Sequence, residues 1–310
     1  MSSHLEAKLS QALSVRLNLQ VSLTSLPIVE EWMDIHLTRW LESVPLPPEL
    51  PMGHTAHFGV SIASDLSRLR WDAYGNPDGF IPKMSEYFDK CKMSKQDTQL
   101  LDAMGERLEP QLVGSWVAVS DGKVSTGWQF CDKHLFADIT DLFGDHEARH
   151  KLVDWMTASD VTELRRFAQT IGENAASEIE LAVPGVAVDD QLTRVASAFE
   201  ILAGVPLAEP VRVAMSSAVA TGFTVAVTMK QGVITRVSAV SPGLGNDILA
   251  QLCAETSVPF DSKLTKIVGA LGADGADRVH YSQLPGMQAA QVDVLVVPSD
   301  TQSPPLREMN

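Results

Sequence analysis

Repetition constrains this chain more than any single motif. Val60–Tyr74 reads VSIASDLSRLRWDAY and Trp116–Phe130 reads WVAVSDGKVSTGWQF. Each is an alternating strand, a Ser-Asp turn (Ser64-Asp65, Ser120-Asp121) and a second alternating strand that reaches a tryptophan, Trp71 or Trp128. A period of two marks a strand with one face on a core, and recurrence of a unit outranks isolated motifs as a guide to architecture. Looser copies stand at Phe223–Ala239, turning at Gln231-Gly232, and at Ile267–Tyr281, turning at Asp274-Gly275, with a helix-like stretch after most of them. Such units leave every apolar sheet face needing a helix and every edge needing a neighbour. The expected fold is α+β, one closed antiparallel β-barrel of strand-turn-strand-helix units ringed by helices.

The rest of the chain fits around this core. Ser2 or Ser3 caps a first helix and Pro27 starts a second, so helices within residues 2–43 precede the barrel. Val44–Gly53 is a proline-rich connector, unsuited to helix interior or central strand. Further helices are expected at about Pro82–Leu108, Asp145–Gly172 and Gln191–Leu202, and Ser241–Glu255 reads as a Gly-rich turn opening another. Gln291–Pro298 is a strand suited to closing the sheet. No linker divides the chain, which implies one domain over 1–298 and a frayed tail over 299–310.

Composition limits the partners. With 310 residues, 45% hydrophobic and 20% charged, the chain can bury a sizeable core. No apolar run approaches the roughly 20 residues of a bilayer crossing, and the start MSSHLEAKLSQAL has no basic-then-apolar leader, which points to the cytoplasm. Its 24 basic and 39 acidic residues give a formal charge of -15, which disfavours nucleic acid and anionic membranes and leaves a small molecule as the partner. Cys91, Cys131 and Cys253 are dispersed and odd in number, as free thiols would be.

Within each strand, one face is apolar and the other mixed. Phe58, Val60 and Ile62 separate from His57, Gly59 and Ser61; Leu69, Trp71 and Ala73 separate from Arg68, Arg70, Asp72 and Tyr74. The same sorting yields Ser125, Gly127 and Gln129, then Thr228, Lys230 and Arg236, then Arg278 and His280. If helices coat the barrel, these mixed faces line its lumen. The alternative is that they are the solvated side of an ordinary sheet. The tryptophans at 32, 40, 71, 116, 128 and 155 all fall at apolar-face positions, as core residues do.

His54–Gly75, after its proline-rich connector, and Pro110–Phe130 resemble strand pairs of the aromatic prenyltransferases with the ABBA architecture, the PT barrel. The resemblance implies a small aromatic, indole-type acceptor and a prenyl diphosphate held by Arg and Lys on successive strands. Arg70 and Arg236 match that basic set, with Lys230 and Arg278 beside them, and Gln129 and Tyr74 line the substrate. No tightly bound cofactor is implied, with magnesium as an optional companion of the donor. Two departures stand out: His57 replaces the acidic residue of the first strand, and Gly127 and Gln129 occupy the region where a lysine is expected. Tyr74, Tyr87 and Tyr281 are the chain's only tyrosines for shielding an allyl cation.

Expelling a diphosphate, with about three negative charges, needs several convergent cations or a metal. A weaker basic set suits a cofactor-free cyclase of indole alkaloid or scytonemin-type pigment pathways, with His57, Asp72 and His280 moving protons. A carrier would need neither. A fourth reading, a zinc hydrolase, rests on His146-Glu147-Ala148-Arg149-His150, an HExxH that on a helix sets both histidines on one face. Its neighbourhood is charged on all sides, which favours a solvated helix start with acids at its N-terminus. The Gly243-Leu244-Gly245 run reads as a plain helix-entry loop rather than a dinucleotide turn, and Gly272–Asp277 as a tight turn.

Overall fold

The computed structural model describes residues 56–57, 60–63, 68–75, 77–78, 81–82, 93–110, 112–120, 123–172, 175–217, 222–255, 275–286 and 290–296. The expected N-terminal helices, the proline-rich connector, Tyr87, Cys91 and the tail lie outside them. The strands, in chain order, are β1 (Ala56–His57), β2 (Val60–Ala63), β3 (Arg68–Gly75), β4 (Val113–Ser120), β5 (Lys123–Leu135), β6 (Glu163–Thr170), β7 (Ala176–Ala182), β8 (Thr224–Lys230), β9 (Val233–Gly245), β10 (Gly275–Gln283) and β11 (Ala290–Val296). The principal helices are α1 (Lys95–Leu108), α2 (Glu147–Ala158), α3 (Val188–Ala198), α4 (Glu209–Ser216) and α5 (Asn246–Glu255).

All eleven strand segments join one antiparallel sheet in the order β1-β3-β4-β5-β6-β7-β8-β9-β10-β11-β2. Its two outermost members are successive parts of one stretch of chain. Ala56 and His57 pair with Ala73 and Asp72 of β3, while Val60–Ala63 pairs with β11 from Val296 to Asp293. The ladder therefore returns to the segment it left, and the sheet closes without a free edge.

The connections sort by end. β4 pairs with β5 as far as Ser120 with Lys123 and a tight turn links β8 to β9 at the same rim, whereas α1, α2, the α3–α4 pair and α5 lie on the connections at the other. At the β8–β9 turn Gln231 and Gly232 have φ of 51° and 76°. Two successive left-handed residues suit the right-handed twist of a two-residue hairpin, and glycine takes the second position without a Cβ penalty.

Apolar residues of the outward face pack beneath the helices. Trp128, Phe130, Phe167, Ile179, Val227, Val237 and Tyr281 share one core with Leu101 and Met104 of α1, Leu152 and Trp155 of α2, Leu192 and Val195 of α3, and Leu249 and Leu252 of α5. Ser94 caps α1 by accepting from the Asp97 amide at 3.1 Å. Gln191 of α3 donates to the carbonyls of Val183 and Gly185 and accepts from the Gly222 amide, which ties two loops to the helix.

Several expected elements are corrected. Asp145–Gly172 is not one helix: α2 ends at Ala158 and β6 follows. A register shift between Leu164 and Arg166 puts Leu164 and Phe167, three apart, on the same face of a strand, a spacing that imitates a helix. Ser241–Gly245 is the end of β9, paired to β10 as far as Gly245 with Gly275, so the Gly-rich turn and the dinucleotide loop are absent there. The last repeat is out of phase. Gly275 opens a strand, and the hairpin partner of β10 is β11. Gln291–Val296 closes the sheet as expected.

Candidate active site in the barrel lumen

With the apolar face outward, the register places the mixed faces on one continuous inner surface. One row runs Tyr74, Gly114, Gln129, Ala168, Glu178, Thr228, Arg236, each opposite the next across a strand boundary. Arg70 stands opposite Ala118, and Asp72 stands between Trp116 and His57. His280 is opposite Val240 on one side and Asp293 on the other. Arg278 lies two residues earlier on β10, opposite Pro242.

The side chains here form a buried polar network. Arg166, 8% exposed, donates from Nε to Glu180 Oε2 and from Nη1 to Gln129 Oε1, both at 3.0 Å, and from Nη2 to Glu178. Arg278 reaches the same Glu180 from β10, two strands beyond β8, over the short side chains of Ala226 and Ser238. Thr224 donates to Glu180 Oε1 at 2.7 Å. Elsewhere on the wall Arg236 Nη1 is 3.5 Å from Asp293 Oδ2, and Ser238 and Ser282 share a hydrogen bond of 2.8 Å.

Electrostatics follow from this packing. Burial alone would raise the Glu180 carboxyl, but Arg278 and Arg166, with help from His280 and the Thr224 hydroxyl, hold it well below the usual carboxylate range. His280 is pushed down to about 3, first by burial and then by the Arg278 guanidinium, against the pull of Glu180 and Glu178. Some of its surface remains accessible, but that surface belongs to the lumen face, and its imidazole is neutral at physiological pH. Arg166, Arg236 and Arg278 thus face Glu178, Glu180 and Asp293, three cations against three anions among the described side chains.

Sequence reasoning located many of these positions and missed others. Gln129, Arg236, Arg278 and His280 gather on the lumen surface, and His57, Arg70, Asp72 and Tyr74 hold register positions in the same rows. Lys230 sits at the β8–β9 hairpin, beyond a register shift at Thr228, and so belongs to the rim. Tyr281 is corrected: it faces outward, 1% exposed, with its ring centroid 5.9 Å from Phe199. Trp116 is corrected in the opposite sense. It stands on the lumen face against Gly127, where an added Cβ would approach its indole to 2.7 Å. Arg166, Glu180 and Asp293 carry no signal in the sequence, because the span of β6 reads as helix and an isolated acid on a strand carries no motif.

The HEARH sequence is divided by the helix start. His146 is the N-cap residue of α2 and lies against Gly232, whose added Cβ would meet the imidazole at 2.6 Å, whereas His150 Nε2 is 2.8 Å from Asp145. Glu147 pairs with Lys151 at 2.8 Å. Among the described residues no three His, Cys, Asp or Glu side chains gather as a metal site.

A closed antiparallel barrel with a polar lumen and an outer ring of helices is the fold of the ABBA-type aromatic prenyltransferases. The chain is similar to the 6-dimethylallyltryptophan synthase of Micromonospora olivasterospora, solved in complex with DMASPP and Trp, with TM-score 0.59 and 16% identity over 96% of this chain and 97% of that one. It is similar to PriB, solved in complex with product diphosphate (TM-score 0.55, 12% identity, 97% of each chain), and to the NotF prenyltransferase (TM-score 0.58, 11% identity, 88% and 89%). In sequence it is 24% identical over 252 residues, 79% of the chain, to a PH domain-containing protein of Dictyostelium discoideum, of which it spans 55%. No protein-family model matches the chain. No helix among the described residues is long and apolar enough to cross a membrane.

Proposed function

We propose that the protein is a prenyltransferase-like enzyme that moves a prenyl group from a diphosphate donor to a small aromatic, indole-type acceptor inside the barrel, in the cytoplasm. The observation that carries this reading is the closed lumen with inward-facing Arg166, Arg236 and Arg278, in the fold of enzymes whose solved complexes hold DMASPP or diphosphate. Guanidiniums recognise phosphate oxygens in paired geometry and stabilise the charge that develops on a leaving diphosphate. Arg70 adds a further cation at its register position, and Lys230 one at the rim. Trp116 supplies an aromatic wall for a developing allyl cation. Magnesium is proposed only as a companion of the donor phosphates.

A specific observation favours a second reading, cofactor-free cyclisation by acid-base catalysis. The described lumen guanidiniums are already matched by carboxylates, while the neutral His280 stands opposite Asp293 and His57 opposite Asp72. His280, held at about 3, is a weak base, so in this reading proton abstraction falls to His57, at the register position opposite Asp72. Calorimetric titration with dimethylallyl and geranyl diphosphate, with and without magnesium, separates the two. Prenyl transfer requires saturable binding of at least one donor. Absence of binding for both at millimolar concentration would overturn prenyl transfer and leave cyclisation as the preferred reading.

A further inference from the structure

The lumen network contains a feature that a simple anion-binding pocket would not need. Arg278 would be free to meet an anionic ligand, yet Glu180 holds it from across two strands, and the same carboxylate also takes Arg166 Nε and the Thr224 hydroxyl. Arg166 has a second carboxylate in Glu178, backed by Thr228 at 3.4 Å. Glu180 is thus dispensable as a counter-ion for Arg166 but is the carboxylate that pairs with Arg278 among the described residues. It is 2% exposed, so it has few other ways to meet its charge.

We propose that Glu180 is an internal stand-in for the anionic ligand of this lumen, so that a diphosphate engages Arg278 only by displacing the Glu180 carboxylate. This rests on the donor-binding reading above and deepens it by naming a residue that sets the affinity threshold. On displacement Glu180 keeps Arg166 and Thr224, so no buried carboxylate is stranded, and the ligand gains a cation already held in place. The exchange has a selective consequence. A monoanion such as a substrate carboxylate offers Arg278 no more than Glu180 does, whereas a diphosphate, with more charge and more acceptor oxygens, does. Glu180 therefore acts as a specificity-determining residue that screens out weak anions.

The test is isothermal titration of the full chain with inorganic diphosphate and, separately, acetate, comparing wild type with Glu180→Gln and Glu180→Asp. Glu180→Asp keeps the charge for Arg166 while withdrawing it from Arg278, which guards against a folding failure of the amide; circular dichroism checks both. Freeing one charge-assisted contact should tighten diphosphate binding by about tenfold or more in Glu180→Gln and by less in Glu180→Asp, and should let acetate bind measurably in Glu180→Gln. If wild type binds diphosphate and neither variant binds it more tightly, the stand-in role is wrong while the donor-binding reading stands. If none of the three proteins binds diphosphate, both are overturned.

Discussion

Arg166 Nε lies 3.0 Å from Glu180 Oε2 on the neighbouring strand, and both side chains are sealed from bulk water. Removing one partner of such a pair leaves uncompensated charge in a medium that cannot hydrate it. Arg166→Met, which strips Glu178 and Glu180 of a shared cation, should cost about 3–5 kcal/mol in urea unfolding. Arg107→Ala, which breaks the exposed pair with Asp141, should leave the midpoint unchanged. Equal sensitivity of the two variants would mean that the lumen is wetter than its packing implies.

The folded protein should lose stability in two stages as pH falls. His280 in the fold titrates near about 3, below the ordinary 6.5 of a free histidine. Between those values the unfolded chain binds the extra proton, so its contribution is full above about pH 6.5 and fades towards pH 3. Glu180, also depressed, contributes above its unfolded value of about 4.3 and is lost below it. Chemical denaturation across pH 4 to 7 should show stability rising with pH, and His280→Asn should flatten that slope. A slope unchanged by the substitution would assign the dependence to other groups.

Gly127 has no room for a methyl group. Its Cβ would fall 2.0 Å from the Gln169 carbonyl oxygen and 2.7 Å from the Trp116 indole. Backbone cannot swing aside as a long side chain can, so Gly127→Ala should destabilise by at least the 1–3 kcal/mol, about, of an overpacked core. A melting temperature equal to wild type would show that the two strands lie further apart.

Turnover assays divide the two proposed chemistries at His57 and Arg70. In prenyl transfer, Arg70→Ala should weaken donor binding by roughly tenfold to a hundredfold through one lost charge-assisted contact, with His57→Ala acting mainly on the acceptor KM. In cyclisation, His57→Ala should abolish kcat, and Arg70→Ala should matter only as far as it holds a substrate carboxylate.

Metal analysis of the purified chain should find less than stoichiometric zinc, and His146→Ala should leave that content unchanged. One zinc per chain, lost on that substitution, would revive the hydrolase reading despite the separation of His146 and His150 onto different partners.

The barrel was legible because its hairpins alternate: the face carrying Gln129 and the face carrying Trp128 are distinct in sequence, and pairing merely aligns them. β6 was hidden by its bulge, which turns a strand pattern into an i, i+3 pattern. The candidate site was legible on strands whose inward residues are unusual for a core, such as Arg278 and His280. Glu180 was not, because its meaning comes from Arg278, almost a hundred residues away in sequence and joined to it only by curvature of the sheet. Trp116 lies on the opposite side from the one its apolar neighbours suggest, since an aromatic residue suits either wall and register decides, whereas alternation from His280 already turns Tyr281 outward.

The split pairing of the first stave, Ala56–His57 with β3 and Val60–Ala63 with β11, also orders events during synthesis. Partners at opposite ends of the chain must meet before the lumen exists. Until residues 290–296 leave the ribosome the nascent sheet is an open ribbon with an unpaired edge at β10, prone to pairing with other chains. Closure by so distant a contact should make the final step slow.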